Sequence, residues 1–328
     1  MNSEVENLMK IRRYRKKRCT WLATATLLML LSARAVRAQD LAPRAYLITP
    51  YHSNAVTMTW SFYDGSIDFN GTLPSSDATG TYSLFIANYY HSFGVFGRST
   101  NFLAVVPYAE GSFQGTVNGA GLHLYRSGLT DSFYRIAINL KGGPAMQPRE
   151  FVKWKQKVLL GASLKVQAPT GQYDPTKLIN WGSNRWSFKP EFGYSERWGK
   201  WVVDAYAGVW FFTTNNDFWS RNDFYPGTRS QSKNPTAALE AHLSYDFGRR
   251  YWASFDGNFW AGGVTTVAGL QQPLTKQQNS RLGFTAAMPI GKKQSLKFSY
   301  SNGAYIQYGG DYQNVSVAWQ YAWLGRPK

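Results

Sequence analysis

Cysteine is almost absent from this sequence, which has one, Cys19, in 328 residues. A disulfide framework is therefore excluded, and so is a metal site built from paired cysteines. Charged residues make up only 17% of the chain and aromatic residues 16%, a composition that excludes a disordered protein. Long apolar runs are also missing, because the longest, WLATATLLMLL at 21–31, is too short to cross a bilayer as a helix.

The one apolar run has the surroundings of a secretory signal peptide. MKIRRYRKKR precedes it and SARAVRAQD follows it, which predicts a signal peptide at 1–38 with cleavage before Gln39. Nine of the 36 Lys and Arg residues and two of the 19 Asp and Glu residues lie in 1–38, so the remaining chain carries a net charge of +10 rather than +17. Much of the basicity is therefore targeting sequence, and no nucleic-acid partner is expected.

The exported part of the chain alternates apolar and polar residues with a period of two and has no convincing helical period. In TAALEAHLSYDF, Leu239 and Leu243 fall on one face, while Glu240, His242 and Asp246 fall on the other. The usual strand length of about ten residues suits tilted strands that cross a membrane. Twelve strands are predicted, at 54–64, 80–91, 99–109, 130–141, 156–167, 185–197, 201–213, 236–247, 251–262, 280–289, 294–301 and 312–323.

The connections between these strands alternate between short and long. Tight turns are expected near Gly94 and Gly97 and at 198–200, 248–250 and 291–294, and longer connections at 65–79, 110–129, 168–184, 214–235, 263–279 and 302–311. The exception is 142–155, a longer link on the side of the short turns, with one turn of helix in REFVKWK. Alternating turn lengths, an even strand count and an export signal are together typical of an outer-membrane barrel with tight periplasmic turns.

The predicted fold is therefore all-β: a closed, antiparallel transmembrane β-barrel of about 12 strands at 54–323, with tight periplasmic turns and longer external loops. Lipid forbids an open sheet edge, because each unpaired backbone group in hydrocarbon costs several kcal/mol, so the first strand must pair with the last.

Residues 39–53 are expected inside or below the barrel, and 324–328 form a C-terminal tail. The expected partners are the lipid bilayer of the outer membrane and, during insertion, the barrel-assembly machinery. The alternative, a soluble β-sandwich with an aromatic core, is disfavoured because charged faces on nearly every strand would leave it poorly covered.

The stretch APTGQYDPTKLINWGSNRWSFKPEFGYS begins with turn-forming residues and ends in aromatic residues that alternate with polar ones. We interpret 168–184 as an external loop and the rest as the strand that descends from it. Pro190 lies within that strand, and proline is normally confined to edges or bulges. A local irregularity of the barrel wall is therefore expected at Pro190.

Several motifs resemble one family. APTGQYDPTKLINWGSNRWSFKPEFGYS, FFTTNNDF, WASFDGNFWAGGVTTVAG, RLGFTAAMPI and SLKFSYSNGAYIQYGGDYQNVSVAWQYAW, together with LAPRAYLITPYHSNAVTMTWSFYDG near the N-terminus, resemble the MetA-pathway of phenol degradation family. The resemblance covers nearly the whole mature chain. It implies an outer-membrane barrel of Gram-negative bacteria that takes up small organic compounds, aromatic ones among them, and it supplies no catalytic residues. The tail LGRPK departs from the aromatic last residue that outer-membrane proteins commonly have.

Catalysis finds little support in the sequence. His242, Ser244 and Asp246 share one strand face, but residues two apart on a strand lie about 7 Å apart, which is too far for a direct proton relay. The loop FFTTNNDFWSRNDF offers oxygen ligands for Ca²⁺, although such residues more often bind their own backbone. No enzyme activity, cofactor or metal is predicted.

Function is instead expected in the lumen. Twelve strands lie between the eight that side chains can fill and the sixteen that leave a wide channel. The lumen is therefore predicted to be narrow, partly plugged by 39–53 or by a folded-in loop, and to pass small solutes with a weak preference for anions. The alternative is a closed structural or surface-binding barrel without transport. The pore-lining candidates, in which acids and bases should largely face each other, are Arg135, Lys157, Lys165, Lys189, Glu191, Arg197, Asp204, Glu240, His242, Asp246, Asp256, Arg281 and Lys297.

Overall fold

The computed structural model describes residues 42–68, 75–117 and 120–325, so the predicted signal peptide at 1–38 lies outside the described residues. Strands dominate the described chain, and helix is limited to α1 at Pro148–Phe151 and a 3-10 turn at Pro273–Thr275. No helix in this part of the chain is long and apolar enough to cross a bilayer. The strands are β1 (Ser53–Asp68), β2 (Ser75–Val95), β3 (Arg98–Val117), β4 (Ala120–Leu129), β5 (Phe133–Lys141), β6 (Val158–Gln167), β7 (Ser187–Trp198), β8 (Trp201–Phe212), β9 (Gln231–Lys233), β10 (Thr236–Gly248), β11 (Tyr251–Gly262), β12 (Thr265–Val267), β13 (Leu270–Gln272), β14 (Gln277–Pro289), β15 (Gln294–Tyr305) and β16 (Gly309–Leu324).

The main sheet closes on itself, because β1 pairs in antiparallel register with both β2 and β16. Thr57, for example, lies opposite Gln320 on one side and Asn88 on the other. Strands β4 and β5 both pair with β3 and together form one interrupted strand of the wall. The remaining strands continue the ring, while β9, β12 and β13 form a separate small sheet. The predicted closed barrel of twelve antiparallel strands is thus confirmed.

The two faces of the wall differ in polarity as the alternation predicted. Met58, Phe192 and Phe284 point outward and are 53%, 68% and 61% exposed. Asp204 and Asp256 point inward and are fully buried. A soluble protein would bury the first set and expose the second, whereas a bilayer accepts an apolar exterior around a polar lumen. The protein is therefore an outer-membrane barrel, as predicted.

Two predicted external loops are largely strand. Residues 65–79 and 110–129 were expected to be connections, but β1 and β2 extend into the first, β3 and β4 extend into the second, and β2 and β3 reach 21 and 20 residues. Cross-strand pairing explains the difference, since Gly80 lies opposite Phe113 and Gly111 opposite Tyr82. An aromatic ring that covers a glycine on the neighbouring strand stabilises pairing in a sequence that otherwise favours a loop. The connections at 214–235 and 263–279 also pair with each other, through β9 and β12.

The structure confirms the predicted irregularity at Pro190 and the predicted helical turn within 142–155. The ladder between β7 and β8 pairs Phe188 with Phe211 and Glu191 with Gly208, but it omits Lys189 and Pro190. Proline has no N–H to donate, so the wall is irregular there. The long link at 142–155 contains helix α1, in which the backbone N–H of Gln147 donates to Glu150 Oε2 at 2.9 Å.

Candidate solute pathway

The N-terminal segment, residues 42–52, lies against the inward face of the barrel. Tyr46 is fully buried, and its ring rests on Gly161 and Gly193, where an added Cβ would lie 2.4 Å and 2.2 Å from ring carbons. The Tyr46 hydroxyl is 2.9 Å from Ser163 Oγ and donates to Glu191 Oε1 at 3.0 Å. Both glycines are therefore required for the close approach of the ring, because any side chain would occupy its place.

Arg44 fixes the start of this N-terminal segment. Its backbone N–H donates to Asp204 Oδ2 at 3.2 Å, and its guanidinium donates to Asp246 Oδ1 at 2.7 Å. The guanidinium carbon also lies 4.4 Å from the centre of the Trp252 ring. An arginine that is held by a carboxylate and stacked on an aromatic ring is well ordered.

The rest of the N-terminal segment crosses to the opposite wall. Arg135 on β5 lies 4.7 Å from the Tyr46 ring centre and donates to the carbonyl of Ala45 at 3.4 Å. Further along, Thr49 Oγ1 lies 2.9 Å from the hydroxyl of Tyr90 on β2. Together with the contacts of Tyr46 and Arg44, these bonds connect the segment to seven strands around the lumen: β2, β5, β6, β7, β8, β10 and β11.

Beside Tyr46, charged side chains of three strands form a network. Lys189 Nζ lies 2.5 Å from Glu191 and 3.2 Å from Glu240. His242 Nδ1 lies 2.8 Å from Asp256 Oδ1, and Thr285 donates to the other oxygen of Asp256 at 2.7 Å. Buried charges require such partners, because an unpaired ion in a low-dielectric lumen would be strongly destabilising. Acids and bases face each other here as the sequence predicted.

The structure brings most of the thirteen pore-lining candidates together and leaves a few apart. Lys189, Glu191, Glu240, His242 and Asp256 form the network, and Arg135, Asp204, Arg197 and Asp246 surround the N-terminal segment. Lys165 Nζ lies 3.9 Å from the Phe133 ring centre, and Arg281 donates to the carbonyl oxygens of Ser301 and Tyr312. Lys157 precedes β6 and is exposed, and Lys297 is exposed on β15. Their role in solute passage stays a prediction.

The residues that the sequence offered for catalysis have other partners. His242 binds Asp256, whereas Asp246 pairs with Arg44 and Arg197, so His242, Ser244 and Asp246 form no relay. Within the described ranges no three His, Cys, Asp or Glu residues cluster as metal ligands would. The loop after β8 binds itself, since Asn215 Oδ1 accepts from the N–H of Asp217 at 3.0 Å. That is the loop-ordering role that such residues usually have.

Sequence reasoning missed an aromatic cluster at the external end of the lumen. Tyr63 and Tyr82 stack with ring centres 4.5 Å apart, and Tyr312 meets Tyr82 edge-on at 5.2 Å. Trp181 lies 5.4 Å from Tyr82 and 5.7 Å from Phe113. Four of these rings come from barrel strands and the fifth from the loop 168–184. The only sequence signal was Trp181 itself, a large aromatic residue in a stretch of turn-forming residues.

Asp131 holds the loop 168–184 in this position. Its carboxylate accepts from the N–H groups of Gly171 and Ser183, both at 3.0 Å, and from Gln167 Nε2 at 3.1 Å. Because one carboxylate fixes both ends of the loop, Asp131→Ala should increase the rate of proteolysis within 168–184 at least about tenfold, as expected for the loss of two charge-assisted bonds.

Limited proteolysis with mass-spectrometric mapping of the cuts measures this effect. Asp223→Ala is the matched control, since Asp223 is an exposed carboxylate in the next external loop. Equal cleavage of the two variants within 168–184 would show that Asp131 does not hold the loop.

The comparisons with known proteins agree with this architecture. The family model described as "Putative MetA-pathway of phenol degradation" matches residues 63–307. This chain belongs to that family. The match excludes the N-terminal segment and the whole of β16, so neither is described by the family model. No curated protein matches the chain.

A solved structure shares the fold, and others resemble it more weakly. The COG4313 outer membrane channel from Pseudomonas putida F1 is 18% identical and superimposes with a TM-score of 0.71 over 87% of this chain and 100% of that chain. The β domain of the Bordetella autotransporter BrkA is more distant, with 12% identity and a TM-score of 0.47 over 83% of this chain and 100% of that chain. The KdgM porin in complex with disordered oligogalacturonate has 8% identity and a TM-score of 0.41 over 81% and 98%.

Proposed function

We propose that this family member is an outer-membrane channel for small solutes, aromatic and other small organic compounds among them, and that its N-terminal segment narrows the lumen. The observation that carries the proposal is the packing of the Tyr46 ring against Gly161 and Gly193 on the inward face. A barrel that served only as a scaffold could fill its lumen with side chains from its own strands. Here two inward positions are glycine and are covered by a separate segment, which can leave without breaking the barrel.

The aromatic cluster supports the organic part of the proposal. Rings at the external end offer flat apolar surfaces, on which aromatic compounds stack with centre separations like those within the cluster itself. The charged network lies deeper, so a solute would meet apolar surface first and polar groups afterwards. This order suits compounds that combine an aromatic body with a polar group.

The second candidate is the closed structural or surface-binding barrel, and one observation favours it. The N-terminal segment contacts seven strands, so the lumen is obstructed where the segment crosses it. A closed barrel passes neither ions nor solutes, whereas a narrowed channel still passes small ones.

Liposome swelling separates these candidates. Purified protein in vesicles should admit small neutral solutes, with rates that fall steeply as solute size increases, because a narrowed lumen sieves by radius. Vesicles that contain heat-unfolded protein give the background rate. Swelling no faster than that background for every solute would reject the channel and favour the closed barrel.

A further inference from the structure

Two positively charged side chains flank one aromatic ring at the external end of the lumen. Phe212 ends β8 on its inward face, Arg185 immediately precedes Trp186 and β7, and Lys233 ends β9. The guanidinium carbon of Arg185 lies 5.6 Å from the Phe212 ring centre, and Lys233 Nζ lies 4.8 Å from it. Three separate segments of the chain therefore meet at this position.

Among the described residues, neither cation forms an ion pair with a carboxylate, since no Asp or Glu oxygen there lies within ion-pair distance of Arg185 or Lys233. Lys233 Nζ donates to the neutral Gln277 Oε1 at 3.2 Å, and the buried Nη1 of Arg185 has no hydrogen-bond partner. Two partly buried like charges beside each other are unfavourable unless an anion joins them.

The pKa of Lys233 is also affected by its surroundings. Burial, and next to it the charge of Arg185, lower the pKa of the Lys233 ammonium to about 7. Arg185 is the charged group that faces Lys233, while Asp131 and Tyr173 face Arg185 from the loop side. A bound anion would favour the charged form of Lys233, so anion binding and lysine protonation are coupled.

Neighbouring residues hold the chain beside Arg185 and the side chain of Lys233. Asn184, next to Arg185, donates through Nδ2 to Asn215 Oδ1 at 2.9 Å. Lys233 pairs with Thr265 in the small external sheet, and the Lys233 side chain passes over Gly263, where an added Cβ would lie 2.6 Å from its Cε. The Lys233 donor is therefore positioned before any ligand arrives, which lowers the entropic cost of binding.

We propose that Arg185 and Lys233 bind the carboxylate group of a small aromatic acid at the external entrance of the lumen, with Phe212 packed against its ring. A guanidinium and an ammonium around one carboxylate provide charge-assisted donors from two directions. Apolar surface continues on one side of the site, because the rings of Trp210 and Phe212 stack with their centres 6.4 Å apart. This inference deepens the proposed function, since it names the class of solute that the entrance selects.

Benzoate is the probe for this site, and benzyl alcohol, which has the ring but no charge, is its neutral counterpart. Calorimetry on the purified full-length barrel in detergent should show benzoate binding more tightly than benzyl alcohol. Lys233→Gln should weaken benzoate binding about tenfold, the usual effect of losing one charge-assisted bond, and Arg185→Gln/Lys233→Gln should abolish the preference for benzoate. Lys233→Arg keeps the charge and should restore most of the affinity. Lys292→Gln, which removes a charge from a periplasmic turn, should change nothing.

The pH dependence gives a second readout. Because the pKa of Lys233 is lowered to about 7, the lysine carries its charge below that pH and loses it above. Benzoate affinity should therefore fall as the pH rises from about 6 to about 8, and this fall should vanish in Lys233→Gln and in Lys233→Arg.

The outcomes separate this inference from the channel proposal. Equal affinities for benzoate and benzyl alcohol, or a benzoate affinity that Lys233→Gln leaves unchanged in a barrel that still migrates as folded protein in gels, would overturn the carboxylate site. Benzoate binding that depends on Arg185 and Lys233 supports the site, even where liposome swelling shows no flux and the channel proposal fails.

Discussion

Deleting residues 42–50 should raise the single-channel conductance of the barrel at least about threefold, the change expected when an obstructed lumen of this strand number becomes open. The physical reason is that the deletion removes Tyr46 and Arg44 but no barrel strand, since β1 begins at Ser53. Pairing between β1 and β16 closes the wall independently of this segment. Planar-bilayer recording of the full chain and the deletion variant measures the difference.

Substitutions at Tyr46 refine this experiment. Tyr46→Ala removes the ring that covers Gly161 and Gly193 and should raise the conductance part of the way towards that of the deletion. Tyr46→Phe is the matched control, because it keeps the ring and loses only the hydroxyl bonds to Ser163 and Glu191. An unchanged conductance in the deletion variant would mean that the N-terminal segment does not limit the pathway.

Lys189→Met should cost about 3 kcal/mol of unfolding free energy, because it leaves two buried carboxylates, Glu191 and Glu240, without their shared cation. The side chains of these three residues are only 9%, 7% and 10% exposed, so water cannot replace the lost partner well. Methionine is unbranched and only one atom shorter than lysine, which limits any packing loss. Urea unfolding in lipid vesicles, followed by tryptophan fluorescence, measures the effect.

An exposed ion pair supplies the control for Lys189→Met. Lys177 and Asp174 pair on the external loop, with side chains 46% and 37% exposed, so Lys177→Met should cost no more than about 0.5 kcal/mol. Lys189→Met combined with Glu240→Gln should recover part of the stability, because it removes one of the two buried carboxylates that lost their cation. If Lys189→Met and Lys177→Met destabilised the barrel equally, the network beside Tyr46 would not be a buried one.

Strand alternation made the barrel predictable from the sequence. In β10 the period of two is unbroken, and it places Glu240 and His242 inward on sequence grounds alone. The extensions of β2 and β3 were not predictable, because Gly111 and its Gly, Ser and Thr neighbours favour a loop by composition. Their strand form depends on Tyr82, which lies opposite Gly111 on another strand. Local propensity thus gave the wrong result where cross-strand packing decides.

The same limit applies to the candidate site. Alternation predicted which charges face the lumen, but it could not predict which charges meet across it. Arg44 and Asp246 are 202 positions apart in sequence, and Tyr46 and Glu191 are 145 apart. Arg185 and Lys233 meet only because two external loops fold towards Phe212. Such contacts depend on the curvature of the closed wall and on the paths of the loops. Neither produces a periodic pattern in the sequence from which it could be predicted.

The length of β2 has a consequence for the outside of the cell. At about 3.3 Å per residue, its 21 residues extend roughly 70 Å, and a tilt of about 45° leaves a height near 50 Å. The hydrocarbon layer is only about 30 Å thick, so the hairpins around β2 and β3 rise well above the membrane plane. They form a raised rim on one side of the external opening. A molecule that arrives from that side meets the rim before it reaches the lumen.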